Sequence, residues 1–157
     1  MTRLNRRETL AGIAILALPR FGAAQTTPEV DPELAPNPAE VSRIKQEFIG
    51  NATPANEGLV IDMLALGDNP AQVPLRAYVS LPLSDDLYCE EMILIAEKNP
   101  FPLACRFRFT PAMGAADIGT RLRLTQTQTI TAYARLSDGR ILTASHDITV
   151  TSGACGM

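Results

Sequence analysis

Fourteen Lys and Arg against seventeen Asp and Glu in 157 residues give the chain a formal charge of −3. A nucleic-acid backbone or an anionic membrane surface, both of which call for clustered cations, is therefore a poor match, and no such partner is expected. The length suits one domain with a real core and is too short for two, while three cysteines, one histidine and no CxxC motif leave neither a metal nor a cofactor to be expected.

Residues 1–24 read as an export signal. Arg3, Arg6 and Arg7 form a basic start, the apolar run from Leu10 to Leu18 is too short to span a bilayer, and Gly22, Ala23 and Ala24 offer a small-residue cleavage site. The segment Asn5-Arg6-Arg7-Glu8-Thr9-Leu10 resembles the twin-arginine signal, with Thr9 where that pattern usually carries Phe. An ordinary secretory signal with two adjacent arginines is the alternative, and either one sends the mature protein to the periplasm. Cleavage after Ala24 leaves 133 residues with ten basic and sixteen acidic side chains, near −6.

Residues 25–56 form a leader with a short helix. Four prolines, at 28, 32, 36 and 38, keep its start extended, and Val41, Ile44 and Phe48 then recur at helical spacing. The spacing predicts an amphipathic helix from about Pro38 to Ile49, packed by one stripe on the domain and ended by Gly50, Asn51 and Pro54.

From residue 57 to 151 the period is two. Val73, Leu75, Ala77, Val79 and Leu81 place apolar groups on one sheet face, as do Leu103, Cys105, Phe107 and Phe109. Ile118, Thr120, Leu122 and Leu124 do the same, followed by Ile130, Ala132, Ala134 and Leu136, and Ser137 to Arg140 supply a hairpin turn. With Leu59 to Leu64, Tyr88 to Ala96 and Ile141 to Val150, these segments predict about seven antiparallel strands. The expected fold is all-β, an immunoglobulin-like sandwich whose outer sheet faces are wet, with a short N-terminal helix and a C-terminal tail. Arg121 and Arg123, with Arg106 and Arg108, fall at alternate positions that suit one charged outer face, while the pairs Asp85/Asp86 and Glu90/Glu91 read as solvated.

The tail, residues 152–157, carries the most suggestive group. Cys155 stands among Gly153, Ala154 and Gly156, so the tail is expected to be flexible and its thiol exposed. No Lys, Arg or His lies within four residues of it, so activation has to come from a partner. An odd cysteine count in an exported chain leaves one thiol unpaired. For Cys89 and Cys105, a disulfide and two buried thiols both remain open. His146 shares a strand face with Leu142, Ala144, Ile148 and Val150 and reads as a core histidine. No catalytic constellation emerges.

Gly153, Ala154, Cys155, Gly156 and Met157 resemble the terminal Gly-Gly-Cys-Gly-Gly of the SoxY family, the sulfur-carrying subunit of the thiosulfate-oxidising system. The body is similar to that family too, in Ala96-Glu97-Lys98-Asn99-Pro100, in Phe107 to Pro111, and in Thr120 to Leu124 followed by Gln128 to Ala132. The resemblance spans roughly residues 57–157. It implies a non-catalytic immunoglobulin-like subunit in a heterodimer with a SoxZ-like protein, and apolar groups at expected outer positions, such as Tyr78 and Tyr133, suit such an interface. It also implies a tail cysteine, here Cys155, that a haem enzyme couples oxidatively to thiosulfate and a sulfate-releasing hydrolase then unloads. Ala154 and Met157 depart from the glycines of that pattern. Two other readings compete: a structural sandwich crosslinked to a neighbour through Cys155, and a free-standing thiol enzyme, which lacks a base and oxyanion donors.

Overall fold

The computed structural model describes residues 35–151; the expected export signal, most of the extended leader and the tail with Gly153, Ala154, Cys155 and Gly156 lie outside them. A helix, α1 (Pro38–Ile49), precedes eight strands: β1 (Leu59–Met63), β2 (Leu66–Gly67), β3 (Val73–Val79), β4 (Cys89–Ala96), β5 (Leu103–Arg108), β6 (Asp117–Leu122), β7 (Gln128–Leu136) and β8 (Ile141–Val150). They form a three-stranded sheet, β1-β3-β6, and a five-stranded sheet, β2-β8-β7-β4-β5. Every pairing is antiparallel except β2 with β8, which runs parallel through Leu66 opposite Thr149 and Gly67 opposite Val150.

Alternation places the core between the sheets. Val73, Leu75, Ala77 and Leu122 of the smaller sheet meet Met92, Leu94, Ile130, Ala132, Ala134 and Ile148 of the larger one in a single buried cluster. The hairpin between β7 and β8 closes where expected, with Leu136 N–H donating to the Arg140 carbonyl (2.9 Å) and Gly139 at φ +85°, a conformation that costs glycine least.

The helix boundaries follow the predicted ones. Asn37 caps the start by accepting from Glu40 N–H at 3.0 Å, Pro38 occupies the first turn, and Gly50 at φ +60° leaves the helix. Val41, Ile44 and Phe48 are buried against Ile93, Ile95, Tyr133 and Ile141. Burying each of those three side chains contributes roughly 1.5–3 kcal/mol. Arg135 secures the helix end: its guanidinium lies 4.6 Å over the Phe48 ring and donates to the Phe48 carbonyl at 2.5 Å. Lys45 pairs with Glu97 at 2.7 Å near the other end of β4.

This packing corrects the expectation of a wet outer face on the larger sheet. The outer side of β4 and β7 is covered by α1, so Met92 to Ala96 are buried on both faces. Such a continuous apolar run is what a doubly covered strand needs. Tyr133 contacts the helix and is no free apolar group on an exposed face.

Two register shifts account for the other departures. One, between Leu94 and Ile95, turns Leu103 toward the helix cluster while Cys105 and Phe107 still pack on the main core. The second, between Cys89 and Glu91, turns Cys89 inward and leaves Glu91 on the helix side. Glu91 is buried, not solvated, within 3.4 Å of Arg106, 3.5 Å of Arg108 and 3.8 Å of Arg135. The expected four-arginine face does not form, because Arg106 and Arg108 belong to the larger sheet and Arg121 to the smaller.

Candidate functional site

Both cysteines within the described residues are free. Cys105 stands opposite Leu94, five residues along β4 from Cys89. At the usual strand rise that separates the two by about 16 Å, well beyond the roughly 4.4–6.8 Å between Cα atoms that a disulfide spans. The Cys89–Cys105 bond raised by the sequence is not formed, and both are buried or half-buried thiols. Burial pushes the Cys89 thiol up to about 11, and burial also raises Cys105 despite a hydrogen bond from Thr120. The crevice beside Cys89 and Phe109 has a volume of only about 10 Å³, room for no more than one water. Neither thiol is poised to react.

Their reactivity provides a direct check. At pH 8 an alkylating reagent should leave Cys89 unmodified in the folded protein and modify all three cysteines once denaturant is added, read by peptide mass. Because the folded Cys89 lies above its ordinary value of 9.0, the folded state keeps a proton that the unfolded state releases. Stability should therefore fall as pH climbs from about 9 toward 11, by on the order of 2 kcal/mol from this group.

His146 lies half-buried opposite Ile130 on the inward side of β8, and its Nε2 is buried without a hydrogen-bond partner. Among the described residues no three His, Cys, Asp or Glu side chains gather closely enough to hold a metal ion.

The described residues do show how the chain leading to Cys155 is anchored. Strand β8 ends at Val150, whose N–H donates to Thr127 Oγ1 (3.2 Å) while that hydroxyl donates to the Val150 carbonyl (3.5 Å). Thr151 N–H reaches the Gly67 carbonyl at 3.3 Å, and its hydroxyl donates to the Asp68 carbonyl at 3.4 Å. Thr127 belongs in turn to a polar knot centred on Asn99. The Asn99 amide donates to the Arg123 carbonyl (2.8 Å), and its Oδ1 accepts from Thr125 N–H (3.1 Å) and Gln128 Nε2 (2.9 Å). Gln128, a buried polar side chain, also accepts from Lys98 N–H at 2.8 Å, and Lys98 Nζ donates to the Thr127 carbonyl at 3.2 Å. A buried amide satisfied this fully fixes the loops around it.

Two open clefts border this root. Thr151, Val150, Thr127, Lys98 and Pro70 line one; Pro100, Phe101, Arg123 and Asn99 line the other, and Thr125 and Gln126 belong to both. Phe101 is 83% exposed. The residues that carried the resemblance in the body, Lys98-Asn99-Pro100, Arg123 and Gln128, thus meet at the end of the molecule from which Cys155 departs.

The model of the family described as sulfur oxidation protein SoxY matches residues 45–155, including the cysteine itself. The chain belongs to the SoxY family. Among solved structures it resembles the sulfur carrier protein SoxY from Chlorobium limicola f thiosulfatophilum, with a TM-score of 0.59 at 18% identity over 73% of this chain and 99% of that one. A superoxide reductase (neelaredoxin) from Ignicoccus hospitalis shares the fold at a TM-score of 0.53 and 18% identity, over 60% of this chain and 81% of that one. A comparison with curated proteins finds no match.

Sequence reasoning singled out Cys155 and missed the Asn99 knot. Its parts are 24 to 30 residues apart in the chain, and only the polar Gln128 at the head of an apolar alternation hinted at it.

Proposed function

We propose that this SoxY-family chain is a periplasmic, non-catalytic carrier that holds sulfur-oxidation intermediates covalently on Cys155 and presents them to partner enzymes. The observation that carries the reading is a family match running to position 155, joined to a domain whose described thiols are buried or half-buried. In this reading the Cys155 thiol and thiosulfate lose two electrons to a haem enzyme and one proton to solvent as a sulfur–sulfur bond forms, giving Cys155–S–S–SO3−. A hydrolase then adds water across the terminal S–S bond, releasing sulfate and one proton and leaving the persulfide Cys155–S–SH. The chain contributes the nucleophile and its placement, while the partners bring oxidant and hydrolytic groups.

The partner subunit is read as a SoxZ-like protein in a heterodimer. The strand orders β1-β3-β6 and β8-β7-β4 support reading the two sheets as immunoglobulin-like, with β2 and β5 as added edges. The outer surface that remains on the smaller sheet carries Tyr78, with Arg76 lying 4.8 Å over its ring and paired to Asp117.

Intact mass of protein purified without reductant, from cells metabolising a reduced sulfur compound, tests the reading. Cys155 should carry sulfur or thiosulfonate adducts that reductant removes, on a chain beginning near Gln25. Adducts spread equally over Cys89 or Cys105, or a Cys155 that stays unmodified throughout, would end the carrier reading.

A further inference from the structure

The loop joining β4 to β5 holds an aromatic ring out in water. Phe101 is 83% exposed, although Pro102 beside it is buried and Asn99 ties the loop to Arg123, Thr125 and Gln128. The fold therefore fixes this ring in place and forgoes what its burial would contribute. Arg123 lines the same cleft as Phe101 and Pro100, and no acidic residue lines it. Seven of the ten Lys and Arg side chains within the described residues are in ion pairs, whereas Arg123 has no acidic partner among those residues. The cleft thus pairs an apolar wall with an uncompensated cation.

The described chain begins on that cleft. Ala35 and Pro36 line it together with Phe101 and Arg123, so the residues before them reach the fold at this place. The preceding segment, Glu29-Val30-Asp31-Pro32-Glu33-Leu34, alternates strictly between acidic and apolar residues, and the expected cleavage after Ala24 leaves it on the mature chain. Pro28 and Pro32 favour an extended backbone for themselves and for the residue before each. In an extended chain successive side chains point to opposite sides, so one edge carries three carboxylates and the other Val30, Pro32 and Leu34. Glu33 is two residues from Ala35 and Glu29 six. At about 3.3 Å per residue those spans reach roughly 7 and 20 Å from a residue that already lines the cleft.

We propose that the leader segment Glu29–Leu34 docks as an extended strap on the Phe101 cleft, with its apolar edge on Phe101 and Pro100 and its carboxylates toward Arg123. The strap joins the start of the mature chain to the β4–β5 and β6–β7 loops, and any other protein that uses Phe101 has to displace it first. Charge supplies part of the contact, so salt loosens it. Nothing in this arrangement depends on what Cys155 carries.

The chain contains no tryptophan, so Phe101→Trp in protein beginning at Gln25 creates a single indole reporter at the tip of the loop. Its emission should be blue-shifted and should resist quenching by acrylamide. Adding Glu29→Gln, Asp31→Asn and Glu33→Gln should raise the quenching roughly three-fold, the effect of one or two exposed ion pairs. Arg123→Gln should act alike, and combining it with the leader changes should add little, because both remove the same contact. High salt should bring the parent to the level of the variants. A second measurement leaves Phe101 unchanged. Arg123→Lys keeps the charge and supplies an amine, which a carbodiimide condenses, with loss of water, with a carboxylate that touches it. Peptide mass should then find an amide between position 123 and Glu33 or Asp31. Equal quenching with and without the leader carboxylates, or no amide between position 123 and the leader, overturns the proposal. So does protection of the indole that grows with protein concentration, which would assign the wall to a second copy. Protection that Met157→Gly removes and the leader changes leave intact would assign it to the C-terminal tail and overturn the proposal equally.

Discussion

Cys155→Ser is expected to abolish sulfur-dependent electron transfer through this protein while leaving its stability within about ±0.5 kcal/mol of the parent. The substitution exchanges one sulfur for oxygen beside Gly153, Ala154 and Gly156, whose small side chains offer it little to pack against. Serine cannot form the persulfide, thiosulfonate or disulfide bonds on which carriage depends, so the loss should be complete and not graded. Thermal unfolding together with a reconstituted oxidation assay reads both halves. Retained electron transfer in the serine variant would show that the cargo travels on another group, and a matching fall in stability would show that position 155 is structural. The same substitution should leave Cys89 as unreactive toward alkylation as in the parent.

Asn99→Ala should be the costliest single change at the tail root. It removes the donor to the Arg123 carbonyl and the acceptor shared by Thr125 and Gln128, at a half-buried position where water replaces them poorly. Leaving those partners unsatisfied should destabilise the fold by about 2 kcal/mol and lower Tm by on the order of 8 °C. Thr127→Val, which disturbs the bonds to Val150 and retains the side-chain shape, should cost about 1 kcal/mol. Chemical denaturation of the two variants ranks them. If Asn99→Ala falls below Thr127→Val in cost, the knot is held by its backbone loops and its central amide contributes little.

Much of this architecture is legible in the sequence because it rests on short-range periodicity. The helix follows from Asn37, Pro38 and the recurrence of Val41, Ile44 and Phe48; β3, β6 and β7 follow from strict alternation. What escaped the reading depends on contacts between distant segments. Strand β2 has two residues and no period of its own, and exists because β8 offers it a parallel edge. The outward placement of Tyr133 was readable, but its cover by α1 was not, although the unbroken apolar run Met92 to Ala96 already implied a second covered face. Register shifts moved Leu103 and Cys89 across the sheet, and a shift of one position reverses every inference about which side a group faces. At the functional end, Cys155 stood out by chemistry alone, whereas the amide knot needed the β4–β5 and β6–β7 loops folded together before it existed.

The parallel pairing of β2 with β8 bears on what happens when a partner takes hold of the cysteine segment and pulls. Force applied beyond Thr151 runs along the axis of β8, which is laddered to β7 from Ile141 to Ile148 and to β2 at Leu66 and Gly67. Such a load meets the hydrogen bonds in shear, so that they must give way together, whereas a strand peeled from its end would lose them singly. The main-chain bonds from Thr149 to Ala65 and from Thr151 to Gly67 extend that grip to the last described residue. Under the proposed carrier function, an enzyme that draws the tail into its active site loads the domain along this ladder and does not peel it open.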